Sequence, residues 1–449
     1  MTTTLIKQIP TRGRLSATSH LPLTLLCLSL LFEYLRIHDI VPILGKLKIQ
    51  TAFLALFVIV VVRQVSTAKS RLAPQSRLLL GFLALALVTF PLATNWFYAY
   101  QFAYDFALTL IGYLAIVYIL RNERDLGTFL AWFIGIHIYL ATKGISGYSA
   151  SQFQVLGGGS LYTSTGYVGG YFLGDENDLA LALNIALPLA LYLFRQARTT
   201  WSRVCWGMGT VAILMTIVFT FSRGGFLGLS AMGLYWALTS RKKTKAIGVV
   251  ALAAILVFAV APPEYWARIE TIFAQDDPTG TKEQRQWYWA AARRMFAASP
   301  IWGVGGGNGR VLMPVYGYEF PLELRMNYWG KAFHSMYYQL LAEFGLLGIV
   351  LIGSVLVLNA RDLKQIRALG RTGRCSGSIE QLGNCLQLSW VGFLISGAFI
   401  SVLSYPHLYY LTALTMVVHR LALRESTSPQ PEPPAARRRT IPRWSTTWR

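Results

Sequence analysis

"NYWGKAFHSMYYQLLAEFGLLGIVLIG", residues 327–353, passes without a break from a polar, aromatic stretch into an apolar run. Such a run decides the fold. About 20 apolar residues cover the roughly 30 Å of a bilayer's hydrocarbon, and a helix is the single-segment structure that satisfies its own backbone polar groups there. Comparable runs recur along the 449 residues, of which 54% are hydrophobic and 14% charged. Twelve can be drawn, near residues 21–37, 49–62, 78–94, 102–120, 127–142, 178–194, 204–221, 225–240, 246–262, 335–359, 386–404 and 408–422. The expected fold class is all-α, a polytopic transmembrane helical bundle of twelve spans.

The formal net charge of +21 raises the question of a polyanionic partner. Its distribution answers it. Most of the 41 Lys and Arg fall in alternate loops that share a side with both termini, as the positive-inside rule requires of cytoplasmic segments. Membrane lipids, and no nucleic acid, are therefore the partners that the charge implies. The chain divides into a cytoplasmic N-terminus (1–20), nine spans (21–262) with an outer loop at 143–177, a large periplasmic loop (263–333), three further spans (334–422) and a disordered basic cytoplasmic tail (423–449). The four cysteines, Cys27, Cys205, Cys375 and Cys385, have no CxxC spacing and suggest neither a metal nor a disulfide framework.

Two outer segments have the material for a site. In the first, Asp175, Glu176 and Asp178 stand just before a helix, where carboxylates cap free amides. The remainder of that segment, rich in Gly, Ser and Tyr, reads as an ordered re-entrant or surface loop. The second segment is far longer than an ordinary connection. Thr281 and Gln284 make a capping box there, and "RQWYWAAARRMFAA" continues as a helix up to Pro300. Arg285, Trp289 and Arg293 share one broad face of it; Trp287 and Trp289 would equally suit a helix lying at headgroup level. The run "GVGGGNG" fails the dinucleotide pattern, because Asn308 stands where a third glycine is needed. It reads as a tight turn whose backbone amides approach something closely, with Asn308 a candidate substrate contact.

Three further positions stand out. Loop counting puts Arg223 of "TFSRGGFLGL" at the outer surface, where arginine is scarce; Ser222, Gly224 and Gly225 leave room for a phosphate beside its guanidinium fork. Snorkelling to lipid headgroups is the structural alternative. His334 lies where the large outer loop re-enters the membrane, so its imidazole faces reactants from that side. Glu343, nine residues on, is roughly 13 Å deeper on the opposite side of the helix, which excludes a direct dyad with His334. Asp276 and Asp277 read as a turn, and the first outer loop offers only Asp39, so no metal is expected.

"FSRGGFLGL", "RQWYWAAARRMFAASPIWGVGGGN", "FHSMYYQLLAEFGLLG" and "GDENDLALALNIALPLA" together resemble the O-antigen ligase and polymerase superfamily of bacterial inner membranes. The resemblance runs from about residue 160 to 404. It implies a GT-C-like bundle and inverting glycosyl transfer at the periplasmic face, with no metal, nucleotide or other cofactor. The implied donor is a glycan on undecaprenyl pyrophosphate; the acceptor is lipid A-core or another sugar hydroxyl. It further implies that Arg223 and Arg285 bind the pyrophosphate and stabilise its departure, while His334 acts as general base or orients the acceptor, with Arg293, Ser222 and Asn308 as further substrate contacts. Many ligases follow the histidine with asparagine, and here Ser335 leaves ligase, polymerase and protein-glycosylating relative open. From a different class, a twelve-span lipid or glycan transporter is the alternative.

Overall fold

The computed structural model describes residues 20–35, 43, 47–68, 72–150, 173, 176–272, 281–318 and 326–427. Among these, every regular element is a helix. Helix α1 (Leu21–Leu30) runs on into a π-helical turn, Leu31–Leu35, and is followed by α2 (Ile49–Ser66), α3 (Pro74–Val88), α4 (Trp96–Ile119) and α5 (Glu123–Ala150). Then come α6 (Glu176–Gln196), α7 (Thr200–Phe219), α8 (Arg223–Thr239) and α9 (Lys243–Val260). The short helices α10 (Pro263–Glu270) and α12 (Gly309–Tyr316) flank α11 (Thr281–Ala298) in the large inserted segment; α13 (Met336–Arg371), α14 (Gly377–Ser396) and α15 (Pro406–Thr427) complete the chain.

Each position expected to span a membrane holds a helix. Among the described residues, nine helices are long and apolar enough to cross a bilayer, and the protein is a multi-pass membrane protein. The remaining three positions hold Leu21–Leu35, which is short, α8, with 17 residues, and α15, which carries His407, His419, Arg420, Arg424 and Glu425. Nine, rather than twelve, is therefore the number that length and composition establish.

Helix α6 forms the centre, packed on α7, α8 and α14. It buries 78% of its apolar window, against 11% for α2 and α9, whose side chains therefore face lipid. Because lipid is as apolar as leucine, polar bonds and close backbone approach hold such helices together. Asn184 of α6 donates to the Gly225 carbonyl of α8 (2.9 Å) and to Ser396 of α14 (3.1 Å). Ser389 of α14 donates to the Ile185 carbonyl at 2.7 Å, and the Trp390 indole donates to Thr415 of α15 at 3.1 Å.

Two local expectations are refined. Helix α5 carries on to Ala150, so the first outer segment begins as helix; residues 151–172, Asp175, Asp276, Asp277, Asp39 and the tail from 428 lie outside the described residues. Glu176 and Asp178 lie within the first turn of α6 rather than before it. Asp178, 5% exposed, also accepts the Tyr405 hydroxyl at 3.1 Å, tying α6 to the turn before α15.

Candidate active site

The segment around Arg223 begins with a strained residue. Phe221 adopts φ +53°, a left-handed conformation that is uncommon outside glycine, and thereby turns the chain from α7 into α8. Ser222 is the N-cap: its hydroxyl accepts the Gly225 amide (3.1 Å) and donates to Asn177 Oδ1 (2.7 Å). With 2% exposure and both bonds made, that hydroxyl works as a cap. At the two glycines neighbouring helices approach α8 closely. A methyl group on Gly225 would meet Ala180 of α6 at 2.7 Å, and one on Gly224 would meet Phe399 at 3.2 Å.

Arg223 itself is half-buried at the first position of α8. Its Nη1 donates to Thr271 Oγ1 at 3.0 Å, and Thr271 donates in turn to the Arg268 carbonyl at 2.8 Å. Anchoring one nitrogen of a rigid, planar fork orients the rest of it.

His334 repeats the strained turn, with φ +51°, and Ser335 in extended conformation takes the N-cap position of α13. Ser335 makes no side-chain cap there, so the helix entry does not depend on its hydroxyl. Helix α11 fixes this turn. Trp289 Nε1 donates to the Phe333 carbonyl at 3.1 Å, and its ring stacks on Tyr338 with centroids 5.1 Å apart. The Tyr288 ring lies 5.9 Å from the His334 ring, inclined at 32°. Arg285 precedes Tyr288 and Trp289 by three and four residues, so it occupies the same helix face one turn away. Arg293 lies further round, its Nη1 at 3.4 Å from the Tyr338 hydroxyl.

Burial and the neighbouring Tyr328 phenol push Tyr288 up to about 12. It therefore stays neutral near pH 7. The tryptophans of α11 are engaged with the protein: Trp289 through Phe333 and Tyr338 of α13, Trp287 against Tyr328 at 6.4 Å.

The two turns belong to the same end of the bundle. Ser396 near the end of α14 donates to the Gly224 carbonyl at 3.2 Å, and Tyr337, next in α13 after Met336, donates to the Leu394 carbonyl at 2.8 Å. The last turn of α14 thus touches the first turns of both α8 and α13.

The glycine run proves to be a clamp on α13. At Gly345 the helix breaks (φ +57°, ψ −152°). The amides of Leu346 and Leu347 turn to the carbonyls of Pro300 (2.8 Å) and Ile301 (3.2 Å), while Val304 and Gly305 donate to the released carbonyls of Ala342 (2.9 Å) and Glu343 (3.0 Å). Four backbone groups are exchanged and none is lost, which is how a broken helix survives in a buried setting. The Glu343 carboxyl closes the clamp, accepting from the Gly309 amide (3.3 Å) and from Gln339 (3.2 Å). What the amides of the glycine turn approach is the chain itself. Asn308 is fully buried; it accepts the Asn95 amide at 2.7 Å and donates to the Asn95 and Gly306 carbonyls, so it binds the turn to α4.

A methyl group on Gly345 would lie 2.6 Å from the Pro300 carbonyl oxygen, in a backbone region that is almost exclusive to glycine. Gly345→Ala should cost on the order of 1–3 kcal/mol, seen as a lower unfolding temperature in detergent. Gly353→Ala, where nothing lies within 4 Å, should leave that temperature unchanged or raise it.

Residues 181–353 match the family model described as O-antigen ligase, Wzy_C. Over this segment the chain is similar to the O-antigen ligase family, as the four sequence motifs suggest. The matched segment runs from the first turns of α6 through the clamp at Gly345, and it contains Ser222, Arg223, Arg285, Arg293, Asn308 and His334. No curated protein matches the chain.

Several residues that build this candidate site carry no sequence signal of their own. Thr271 is one threonine among many, and its bond to Arg223 closes across 48 positions. Tyr288 reads as helix filler until it is seen against His334. Glu343 and "GVGGGNG" were each visible, but nothing in their spacing announces that one binds the other.

Proposed function

We propose that the chain performs inverting, metal-independent glycosyl transfer, moving a glycan from undecaprenyl pyrophosphate to a lipid A-core or other sugar hydroxyl. The observation that supports this most is that the turns carrying Arg223 and His334 both adjoin the last turn of α14, with α11, the helix of Arg285, packed against the His334 turn, inside the segment that matches the O-antigen ligase model. In this reading the end faces the periplasm of a bacterial inner membrane, with both termini in the cytoplasm.

The chemistry is a single displacement. The acceptor oxygen forms a bond to the anomeric carbon, the bond from that carbon to the pyrophosphate oxygen breaks, and the acceptor's proton passes to a ring nitrogen of His334. Undecaprenyl pyrophosphate departs with one more negative charge, which the Arg223 and Arg285 guanidinium groups meet. Backside attack inverts the configuration. The donor stores the energy, so the protein's tasks are to position, to stabilise anionic oxygen and to take one proton.

The acceptor class is tested with purified protein, undecaprenyl-linked repeat units and a choice of acceptors. A ligase caps lipid A-core with glycan, and that product is expected. Growth of the carrier-linked chain without transfer to lipid A-core would make the protein a polymerase of the same superfamily. Flux of intact lipid-linked glycan across vesicles with no new glycosidic bond would make it a transporter.

A further inference from the structure

At the opposite end of the bundle from Arg223 and His334 lies a cleft of about 370 Å³ between α6, α8, α9, α13 and α14. Helix α8 starts at Arg223 and ends at this cleft, so its 17 residues put the two roughly 25 Å apart. Six cations line it: Arg195, Arg241, Lys242, Lys245, Arg367 and Arg371. Among the described residues the one carboxylate in its lining is Glu380, already paired with Arg241 at 3.1 Å. Arg367 is held by the neutral amides of Asn384 and Gln387, and Arg195 lies 5.8 Å from the Trp236 ring.

Basic residues at one end of a membrane bundle are ordinary. Their convergence on one concave site, from separate helices and with too few acids to balance them, is not. Such a cleft concentrates positive potential and favours an anion. The first turn of α9 adds to this, since its N-cap, Lys242, makes no side-chain cap and the helix dipole is positive there. The other wall is apolar, built by Pro188, Leu191, Ala246 and Leu388. Helix α9 buries only 11% of its apolar window, so this side opens onto the bilayer. Cations at the end of the bundle beside an apolar, lipid-accessible wall match a phosphodiester carrying acyl chains.

We propose that this cleft binds the headgroup of an anionic phospholipid, independently of the transfer reaction. The test is native mass spectrometry of the full chain released from detergent containing phosphatidylglycerol or phosphatidylcholine. Phosphatidylglycerol should be retained saturably and phosphatidylcholine should not. Replacing Lys242, Lys245 and Arg371 together by Gln should weaken retention by about ten- to a hundredfold, given the strength of single basic contacts with acidic lipid. Replacing Arg198, Lys364 and Arg374, none of which lines the cleft, should leave it within about twofold. Equal retention of the two lipids by the unaltered chain would overturn the proposal, whatever the variants do. An equal loss in both triple variants would reduce the effect to diffuse surface charge. Displacement of the lipid by inorganic phosphate at the same concentration would make this a soluble-anion site instead.

Discussion

A His334→Ala protein is expected to fold and insert normally yet to transfer glycan about 100- to 10,000-fold more slowly, the usual contribution of a positioned general base. The substitution removes the imidazole and its contact with the Tyr288 ring. The turn that carries His334 is held by the Trp289 bond to the Phe333 carbonyl and by the Trp289 stack on Tyr338, and neither involves the imidazole. His334 adopts φ +51°, however, so alanine adds backbone strain of its own. Asparagine tolerates that conformation and lacks a base near neutral pH, so His334→Asn separates the two effects. Were the histidine there only to shape the turn, asparagine would restore transfer; as a proton acceptor, it leaves the Asn protein as inactive as the Ala one. Unfolding temperatures measured beside the rates complete the comparison. Tyr288, pushed up to about 12, is no alternative base near neutral pH.

Lysine in place of Arg223 or Arg285 is the second large effect, about 100- to 1,000-fold in rate for each, comparable to the loss of one preorganised donor to a developing anion. Charge is conserved in these variants, so the loss measures the fork. Lysine is a point charge on a flexible stem and cannot present two parallel N–H groups to a phosphate. For Arg223 the substitution also removes the Thr271 anchor. Thr271→Val tests that anchor alone. It should reduce transfer by a smaller factor than Arg223→Lys, because the guanidinium remains and loses only its orientation. If the arginine merely snorkelled to headgroups, Arg223→Lys would keep full rate, since lysine snorkels as well.

The fold was legible in the sequence wherever it depends on local apolar length. The runs that begin near residues 49, 204 and 335 each became a helix long enough to cross a bilayer, because a bilayer imposes length and polarity on every span alike. The helix from Thr281 to Ala298 was readable from its formers and its proline stop. Positions set by tertiary exchange were not. The break at Gly345 looks from sequence like one more small residue in a span, and its cause lies far back in the chain, in the carbonyls of Pro300 and Ile301. Ser222 and Asn308 illustrate the same limit from the other side. Both are polar residues beside glycines, a pattern that suits a phosphate cradle as well as a packed turn. Only burial and bonding show that Ser222 caps α8 and that Asn308 fastens the glycine turn to α4.

Arg223, Arg285 and His334 fall between these cases. Loop counting singled out Arg223 and His334 by placing charge and imidazole where few are expected, and the structure puts both at the last turn of α14. Which groups hold them there had to come from the folded chain.

The central claim, a single displacement with departure of undecaprenyl pyrophosphate, is tested most directly by one reaction of the purified protein with anomerically defined donor. The carrier released and the configuration of the new linkage are both measured. One undecaprenyl pyrophosphate per glycan transferred, with the anomeric configuration inverted, is the predicted result; a retained configuration, or transfer without release of the carrier, would contradict it.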